Sequence, residues 1–492
     1  MTDITPTEEQ LAIIQAAKER PESLLINALA GCAKTSTLLM ICQALPVMPI
    51  LSLAFNKKIA DEMTKRLPGH VTAKTLNGLG HGVWAKYTNK RLIVDKDKTY
   101  NILKGVIERA SRTEKSEIYE GMADTLKAVR WAKMQGYIPD GLYPNAKHLI
   151  QGDEFYAILN SETDGDIDRE LVDFLLNEGI KAAYNGLIDF DDQIYMPTLF
   201  GGQFPQFPLV LVDEAQDLSP LNHAMLDKLV TRRLIAVGDP WQSIYAFRGA
   251  ASGSMGLLKQ RFQMVEMTLS ITFRCPTKVV ENVLWRVPLF KPAPWAKEGQ
   301  VLDLTQEEKK EWSAKALPPG AAIICRNNAP LMGTALKLLQ YGVGCRLLGS
   351  DLGPGLIRTL KKLCGENMEA TQAQAMVAID EWEETMLKKR KNEGTVHDKA
   401  DCLRVFVEFG ATLGAAVAYA EHLFKTDGPI QLMSGHKSKG LEFDVVYHLD
   451  PWLVPSKWAA GEALEQELNL KYVIETRAKQ TLFKVNSADL RQ

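Results

Sequence analysis

Six short apolar runs lie along the chain, and each one stops at a cluster of small or polar residues. They occupy 24–28, 49–54, 209–212, 234–237, 321–325 and 445–449. Runs this short, without polar alternation and separated by helical segments, are typical of strands buried on both faces of a parallel sheet. The sequence therefore predicts an α/β fold.

Length and charge limit the classes of protein that fit. At roughly 150 residues per domain, 492 residues predict about three or four folding units. Apolar residues make up 46% and charged residues 24%, which disfavours wholesale disorder and coiled-coil rods. A formal net charge of −2 excludes a polycation held to nucleic acid by bulk charge, but a local basic groove remains compatible with it.

The cysteines and the apolar runs also bear on location. The seven cysteines are scattered, with no C-x-x-C pair and no zinc-finger spacing, so we expect reduced thiols in a cytoplasmic protein, or in the host-cell cytoplasm if a phage encodes it. The first residues lack a signal-peptide pattern, and no apolar run reaches the length of a membrane span. We expect no membrane partner.

Two polar, helical stretches interrupt the rhythm of strands. The first covers 86–185 and contains predicted helices at 99–110 and 116–133; the second covers 358–424. Both are interpreted as helical insertions within two α/β cores. The second contains the basic run 388–391, which is either a solvated helix face or a contact for duplex DNA.

The segment SLLINALAGCAKTSTLL places a small-residue loop between an apolar strand and a helix. A phosphate-binding loop needs this order: backbone N–H groups face the phosphates, Lys34 reaches the β/γ oxygens and the Thr35 hydroxyl binds Mg²⁺. Ala28 and Ala33 stand where the G-x-x-x-x-G-K-[ST] pattern has glycine, which leaves Gly31 alone. A positive φ at Ala33 would cost on the order of 1 kcal/mol. A chance small-residue turn is the alternative.

The segment PLVLVDEAQDLSP leads from a predicted strand into Asp213 and Glu214. Nucleotide hydrolysis needs one carboxylate near the metal and another to orient and deprotonate the attacking water, and adjacent residues at a strand tip can supply both. Asp213 is the predicted metal residue, together with Thr35, and Glu214 is the predicted base. An acidic turn capping a strand would explain one acid but not the run that continues through Gln216 and Asp217.

A third strand, LIAVGD, opens into PWQSIYAFRGA. Gln242 lies just behind the strand tip, and Tyr245, Phe247 and Arg248 follow it. Interleaved aromatic and basic residues suit a single strand of DNA, because bases stack on rings while arginine binds phosphate. The alternative is a packed aromatic cluster, which this segment in isolation favours.

Together, the motifs support a resemblance to a known family. Gln10 within TPTEEQ, then ALAGCAKTS, DEAQD, VGDPWQSIYAFRGA, TFRC, HKSKGLEFDVV and YVIETRAK resemble, in order, the motifs of superfamily 1 helicases of the UvrD/Rep/PcrA type. AFNKKIADEM followed by TAKTLNGLGHG is most similar to the F-box DNA helicase branch, although no F-box-like segment precedes the core. The motifs extend from Gln10 to Lys479, nearly the whole chain.

The resemblance implies a role for each matched residue at the nucleotide. Gln10 reads the adenine edge, Phe273 takes the place of the aromatic that stacks on adenine, and Gln242 senses the γ-phosphate. Arg274 and Arg477 stabilise transition-state charge, with Glu214 and Gln242 completing the implied catalytic set. The implied nucleotide-binding set is Gln10, Ala30, Gly31, Cys32, Ala33, Lys34, Thr35, Ser36, Phe273 and Glu442.

The resemblance also implies contacts with single-stranded DNA. The implied set is Phe55, Asn56, Lys57, Thr75, Asn77, Tyr245, Phe247, Arg248, His436 and Lys437. Many relatives carry histidine where Asn77 stands. Outside such a motif, a lone residue such as His436 would more often be structural.

The resemblance implies two RecA-like parallel-sheet cores that face an ATP cleft, each interrupted by a mainly helical insertion. The expected boundaries are 1–85 and 186–285 for core 1A, 86–185 for insertion 1B, 286–357 and 425–492 for core 2A, and 358–424 for a reduced insertion 2B.

The implied function is ATP- and Mg²⁺-dependent translocation on single-stranded DNA with unwinding at duplex junctions, 3′ to 5′, in DNA repair, replication or recombination. Replication or recombination proteins are the expected partners. Two alternatives stay open. One is a helicase subunit of a nuclease or recombination assembly. The other, motivated by Ala33, is a nucleotide-gated DNA-binding module with weak hydrolysis.

Overall fold

The computed structural model describes residues 5–139, 143–162, 167–244, 253–305, 312–348, 352–389 and 393–492. The chain divides into two units: Met1–Leu29 with Ala33–Leu269, and Ala30–Cys32 with Ser270–Gln492. Each unit contains a six-stranded sheet. The ladders that pair the strands below are all parallel. The predicted α/β class is therefore confirmed.

The strands are numbered in chain order. They are β1 (Leu24–Ala28), β2 (Ile50–Leu53), β3 (Val71–Lys74), β4 (Ile93–Val94), β5 (Leu187–Ile188), β6 (Phe207–Val212), β7 (Val230–Gly238), β8 (Val265–Leu269), β9 (Ile271–Thr272), β10 (Lys291–Pro292), β11 (Gln300–Asp303), β12 (Trp312–Ser313), β13 (Ala322–Cys325), β14 (Cys345–Leu348), β15 (Ile430–Ser434), β16 (Phe443–Leu449), β17 (Ala478–Val485) and β18 (Leu490–Arg491).

The helices are numbered in the same way. They are α1 (Glu8–Glu19), α2 (Lys34–Ala44), α3 (Lys57–Arg66), α4 (Leu76–Thr88), α5 (Lys98–Arg109), α6 (Arg112–Gln135), α7 (Gly152–Glu162), α8 (Arg169–Tyr184), α9 (Asp192–Leu199), α10 (Pro220–Leu229), α11 (Ser254–Arg261), α12 (Thr277–Val283), α13 (Asn328–Gln340), α14 (Leu352–Leu363), α15 (Gln372–Lys389), α16 (Glu393–Glu408), α17 (Leu413–Lys425) and α18 (Gly461–Glu475).

The sheet of the first unit has the strand order β3-β2-β6-β7-β1-β8. Strand β1 lies between β7 and β8, with Leu25 aligned with Ala236 on one side and Glu266 on the other. The apolar residues of β1 and β2, of 209–212 in β6 and of 234–237 in β7 are buried, as the continuous apolar runs predict for strands covered on both faces. Because the strands are parallel, the carboxyl ends of β1, β6 and β7 share one edge of the sheet.

Helices α5 to α8 of the first unit lie between β4 and β5. They pack around a core that includes Leu103, Trp131, Phe155 and Leu175. The helix predicted at 99–110 is confirmed as α5, and the helix predicted at 116–133 is confirmed as α6, which begins earlier than expected. It begins earlier because Ser111 caps it, in a capping box with Glu114.

The second unit has its own sheet, in the order β11-β17-β16-β13-β15-β14. Helices α13 to α17 share its buried core, and α14 to α17 lie within or close to the polar stretch 358–424. Of the basic run, Lys388 is exposed at the end of α15, and 390 and 391 lie outside the described residues. Within the described ranges, no helix is long and apolar enough to span a membrane.

Candidate functional site

The loop between β1 and α2 carries the predicted phosphate-binding residues. Ala33, directly before α2, has φ 56° and ψ 43°, in the left-handed region, and Gly31 has φ 73°. Ala33 therefore carries the cost of about 1 kcal/mol that a positive φ imposes on alanine. Among the described residues no side chain caps α2, so the first N–H groups of this helix can face an anion, which the helix dipole also favours.

Lys34 and Thr35, the first two residues of α2, meet the two acids that end β6. The Lys34 ammonium lies 3.1 Å from both carboxylate oxygens of Glu214. The Thr35 hydroxyl donates a hydrogen bond of 2.9 Å to Asp213 Oδ2. Four residues predicted from two separate motifs are therefore brought together at one edge of the sheet.

The electrostatics of this edge favour a cation. Burial alone would lower the pKa of Lys34, but the carboxylates of Glu214, Asp239 and Asp213 outweigh it and hold that pKa above its usual value. Burial, reinforced by the charge of Glu214, raises the pKa of Asp213 to about 6, and burial raises the pKa of Asp239 to about 6. The charges of three carboxyl groups thus act on one ammonium.

The donor set at this edge suits Mg²⁺. A hydroxyl, from Thr35, and a carboxylate, from Asp213, are hard oxygen ligands, and Mg²⁺ commonly takes one or two protein ligands and fills its shell with water and substrate phosphates. In the described part of the chain, no group of three or more His, Cys, Asp or Glu side chains is placed to hold a metal by itself.

Gln216 and Asp239 connect the ends of β6 and β7, and the sequence analysis did not assign either of them to the site. Gln216 Nε2 donates to Glu214 Oε2 at 2.5 Å, and Gln216 Oε1 accepts from the backbone N–H of Asp239 at 3.0 Å. Asp239 in turn accepts from Gln242 Nε2 at 2.7 Å. A Cβ at Gly238 would lie 2.5 Å from Gln216 Oε1, so glycine permits this close approach. Their positions just after two buried strands could have indicated both residues.

Gln10 is buried at the start of α1. Its side chain and that of Thr7 form a capping box, and its Nε2 donates to the Thr37 hydroxyl at 3.0 Å. Gln10 is thereby held against α2, the helix that begins at the phosphate-binding loop. Its role at an adenine edge stays a prediction.

In the second unit, Arg274 and Glu442 are paired, with Arg274 Nε donating to Glu442 Oε2 at 2.9 Å. The backbone N–H of Phe273 donates to Gly31 O at 3.0 Å, and a Cβ at Gly31 would lie 2.6 Å from Arg274 Cβ. Phe273 and Arg274 therefore adjoin residue 31 of the phosphate-binding loop.

The side chain of Arg477 is buried, whereas an arginine finger that reaches into a site is exposed. It is 1% exposed, and its guanidinium donates to the carbonyls of Val473 at 2.8 Å and Leu441 at 3.1 Å. These bonds fix the side chain between the end of α18 and the residue before Glu442. Its role in transition-state stabilisation stays a prediction.

Some predicted DNA-contacting residues lie at helix starts of the first unit. Phe55 is exposed, Asn56 caps α3 through a bond from Ile59 N, and Lys57 begins α3. Thr75 caps α4 in the same way.

The remaining predicted DNA residues are distributed over both units. Asn77 donates to the carbonyl of Phe190 at 2.7 Å. Lys437 is exposed in the turn between β15 and β16, where His436 is half-buried. The other three, Tyr245, Phe247 and Arg248, lie outside the described residues.

A buried cluster of four charged residues, which we call the insertion cluster, consists of Lys98, Lys133, Asp189 and Asp192. The ammonium of Lys133 lies 2.6 Å from Asp189 Oδ2 and 2.7 Å from Asp192 Oδ1, and Lys98 is paired with Asp192. Asp189 and Asp192 also accept from each other's backbone N–H at 2.8 Å. The cluster fixes a short turn to α5 and α6. The sequence analysis missed it.

The charges of the insertion cluster balance one another. Burial lowers the pKa of Lys98, helped by the nearby charge of Lys133. Burial opposes the charged form of Asp189, but the two lysines outweigh it and hold its pKa below the usual range. The turn that the cluster holds presents Phe190, which is 58% exposed and adjoins Asn77 through its carbonyl.

The strained backbone at Ala33 leads to a prediction about stability. Because only glycine adopts the left-handed region without steric cost, we expect Ala33→Gly to raise the free energy of unfolding by about 1 kcal/mol. Ala30, in the same loop, does not have a positive φ, so Ala30→Gly should lower stability slightly. Thermal unfolding of both variants checks this. A loss of stability in Ala33→Gly would contradict the prediction.

Comparison with known proteins places the chain among helicases. The model for the UvrD/REP helicase N-terminal domain matches residues 7–263, and that for the UvrD-like helicase C-terminal domain matches residues 361–487. F-box DNA helicase 1 of Gallus gallus is 24% identical over 99% of this chain and 50% of its own length. F-box DNA helicase protein 1 of Schizosaccharomyces pombe is 23% identical over 97% of this chain and 57% of its own length. DNA helicase IV of Escherichia coli is 26% identical over 53% of this chain and 44% of its own length.

The chain thus spans about half the length of the curated relatives it matches. The N-terminal model alone covers more than half of the chain, and its matched region includes Lys34, Asp213 and Glu214. The suspected resemblance is confirmed: the chain belongs to the UvrD/REP helicase family.

Proposed function

We propose that this chain is an ATP-dependent motor that translocates along single-stranded DNA and unwinds duplex junctions. The observation that carries the proposal is the meeting of Lys34 and Thr35 with Asp213 and Glu214 at the carboxyl edge of the first sheet. The relatives of Gallus gallus, Schizosaccharomyces pombe and Escherichia coli named above are all DNA helicases by name. ATP and Mg²⁺ are the proposed cofactors.

In this proposal the phosphates of ATP bind the loop 30–36, with the N-terminus of α2 and Lys34 contributing positive charge. Thr35 and Asp213 would hold Mg²⁺, which would supply positive charge against the charge that develops on the phosphates. Lys34 is paired with Glu214, so a triphosphate competes with Glu214 for the ammonium. Binding of ATP therefore frees the Glu214 carboxylate to accept a proton from the attacking water.

Gln216 and Asp239 act as positioning residues in this scheme. Gln216 holds Glu214 directly, and Asp239 holds Gln242, the proposed γ-phosphate sensor. Because Gln216 also bonds the backbone of Asp239, a movement of Gln242 is transmitted to the catalytic carboxylate through one continuous chain of hydrogen bonds.

The second unit is proposed to contribute Phe273 and Glu442 to nucleotide binding and Arg274 and Arg477 to charge stabilisation. The pairing of Arg274 with Glu442 supports placing them at one site. The carbonyl bonds of Arg477 would hold a guanidinium in one orientation before the reaction, which is what electrostatic preorganisation requires.

The proposed DNA track uses Phe55, Asn56, Lys57, Thr75, Asn77, Tyr245, Phe247, Arg248, His436 and Lys437. Phe190 joins this proposal because it is exposed beside Asn77, and an exposed ring can stack on a base.

The direction of translocation is proposed as 3′ to 5′, and the subdomains are proposed as 1A, 1B, 2A and 2B with the boundaries given above. Cytoplasmic location and replication or recombination proteins as partners belong to the same proposal.

A nucleotide-gated binding module without efficient hydrolysis is the second candidate, and the left-handed Ala33 is the observation that favours it. The intact set of Glu214, Gln216, Asp239 and Gln242 argues for hydrolysis, because a binding module has no need of a held base. A helicase subunit of a nuclease or recombination assembly is compatible with the same site.

The deciding experiment compares ATP hydrolysis by the purified chain with and without single-stranded DNA. We expect strong stimulation by DNA, and none in Lys34→Ala. Strand displacement on duplexes with a 3′ or a 5′ single-stranded tail tests direction, and we expect unwinding of the 3′-tailed substrate. ATP binding without DNA-stimulated turnover would instead support the non-hydrolysing module.

A further inference from the structure

Two aromatic side chains of the second unit lie side by side, and one of them belongs to a residue whose backbone contacts Gly31. Phe273 follows β9, and its backbone N–H donates to Gly31 O at 3.0 Å. The ring of Trp295 has its centroid 6.0 Å from that of Phe273, with the two planes at 42°. The motifs discussed above do not include Trp295.

The backbone around Trp295 is fixed on both sides. Strand β10 pairs with β9, and directly after β10 the N–H of Ala293 donates to Thr272 O at 3.1 Å. A turn then closes with a bond of 2.8 Å from Ala296 N to Ala293 O, and Lys297 O accepts from Thr277 N at 3.0 Å. The position of Trp295 is therefore held by β9, the strand that leads into Phe273, and by the start of α12.

Burial distinguishes this pair from a packed core cluster. Trp295 is 66% exposed, although the residue two positions before it, Ala293, is buried. The two rings meet at 42°, which is neither stacked nor edge to face, and the exposed fraction of Trp295 shows that most of the indole is uncovered. An exposed tryptophan on a fixed backbone, beside the ring of a residue that contacts Gly31, offers a flat, rigid surface for a ligand ring.

We propose that Trp295 is a further base-binding residue of the nucleotide site, which forms a second aromatic surface beside Phe273 and favours purine over pyrimidine nucleoside triphosphates. This inference rests on the proposed function, because it requires ATP to bind the loop 30–36. Purine specificity follows from contact area: a two-ring base covers more of the indole than a one-ring base does.

The test measures the Kd of ATP, UTP and inorganic tripolyphosphate by calorimetric titration of the full chain. Stacking on one aromatic residue supports an increase of about ten-fold in the Kd of ATP for Trp295→Ala. UTP should be affected less, and tripolyphosphate, which has no base, should be unaffected. Trp295→Phe keeps a ring and should restore most of the affinity for ATP.

Trp285→Ala is the matched control, because Trp285 is an equally large, exposed side chain of the same unit, packed under the ammonium of Lys471 at 5.5 Å. It should leave all three Kd values unchanged. An unchanged Kd for ATP in Trp295→Ala would overturn the inference. So would an equal loss for ATP and tripolyphosphate, which would make the indole a support for the loop.

Failure of this inference can be distinguished from failure of the proposed function. If the wild-type chain binds ATP and hydrolyses it with DNA while Trp295→Ala binds ATP equally well, only the base-binding role of Trp295 is wrong. If the wild-type chain binds tripolyphosphate and ATP with the same affinity, no base contact exists, and the inference is overturned although the phosphate site stands. If the wild-type chain binds neither ATP nor tripolyphosphate, both the inference about Trp295 and the proposed function are wrong.

Discussion

Glu214→Gln is expected to lower DNA-stimulated ATP turnover by about a thousand-fold, the range typical of a lost general base, and to retain ATP binding. Glu214 acts on the attacking water and not on ATP in its ground state, so its removal affects the transition state. The substitution also removes the carboxylate that holds Lys34 at 3.1 Å. ATP affinity should therefore be equal to or higher than that of the wild-type chain.

Lys34→Ala is the matched comparison for this result. Lys34 is the proposed phosphate ligand, so its loss should lower both turnover and ATP affinity. Steady-state hydrolysis with single-stranded DNA gives turnover, and equilibrium titration with ATP gives the Kd. An equal loss of ATP affinity in the two variants would contradict the separate roles of Lys34 and Glu214.

Among the variants proposed for this chain, Asp192→Ala is expected to lower the free energy of unfolding most, by about 3–5 kcal/mol. This is the cost typical of removing one partner of a buried ion pair. Asp192 is fully buried and accepts from both lysines of the insertion cluster. Its removal leaves two buried ammonium groups with the single carboxylate of Asp189. Urea unfolding of the full chain measures the loss, and hydrogen exchange should assign it to α5 and α6.

The neighbouring Asp191 provides a control of the same residue type in the same turn. Its side chain is partly exposed and lies 3.5 Å from the exposed Arg130. Exposed ion pairs contribute less than about 1 kcal/mol, so Asp191→Ala should change stability little. Similar small effects in both variants would show that the insertion cluster does not stabilise the helices it connects.

Strands in the interior of the sheets were the easiest elements to predict from the sequence. The six predicted runs coincide with β1, β2, β6, β7, β13 and β16. The four strands at the sheet edges, β3, β8, β11 and β14, were not predicted, and neither were two interior strands of the second sheet, β15 and β17. An edge strand is partly solvated, so its residues alternate or mix in polarity, as in VTAK of β3, and no continuous apolar run marks it.

The candidate site shows a similar division. Lys34 and Thr35 are adjacent at the start of α2, and Asp213 and Glu214 are adjacent just after β6, so a local pattern is sufficient to find them. The insertion cluster has no local pattern, because Lys98 meets Asp192 across 94 residues of chain. Likewise, Trp295 comes beside Phe273 only through the pairing of β9 with β10. Contacts of this kind depend on tertiary structure, which composition and periodicity do not encode.

The position of β1 between β7 and β8 has a consequence for synthesis on the ribosome. Strand β1 emerges early, but its neighbours in the sheet begin at Val230 and Val265. At about 5–20 residues per second, translation leaves its apolar residues without both partners for on the order of tens of seconds. Helices α5 to α8 are synthesised after β1 and before β7, and they can pack on one another in the meantime. The nascent chain should therefore depend on chaperones that cover apolar segments until the sheet closes.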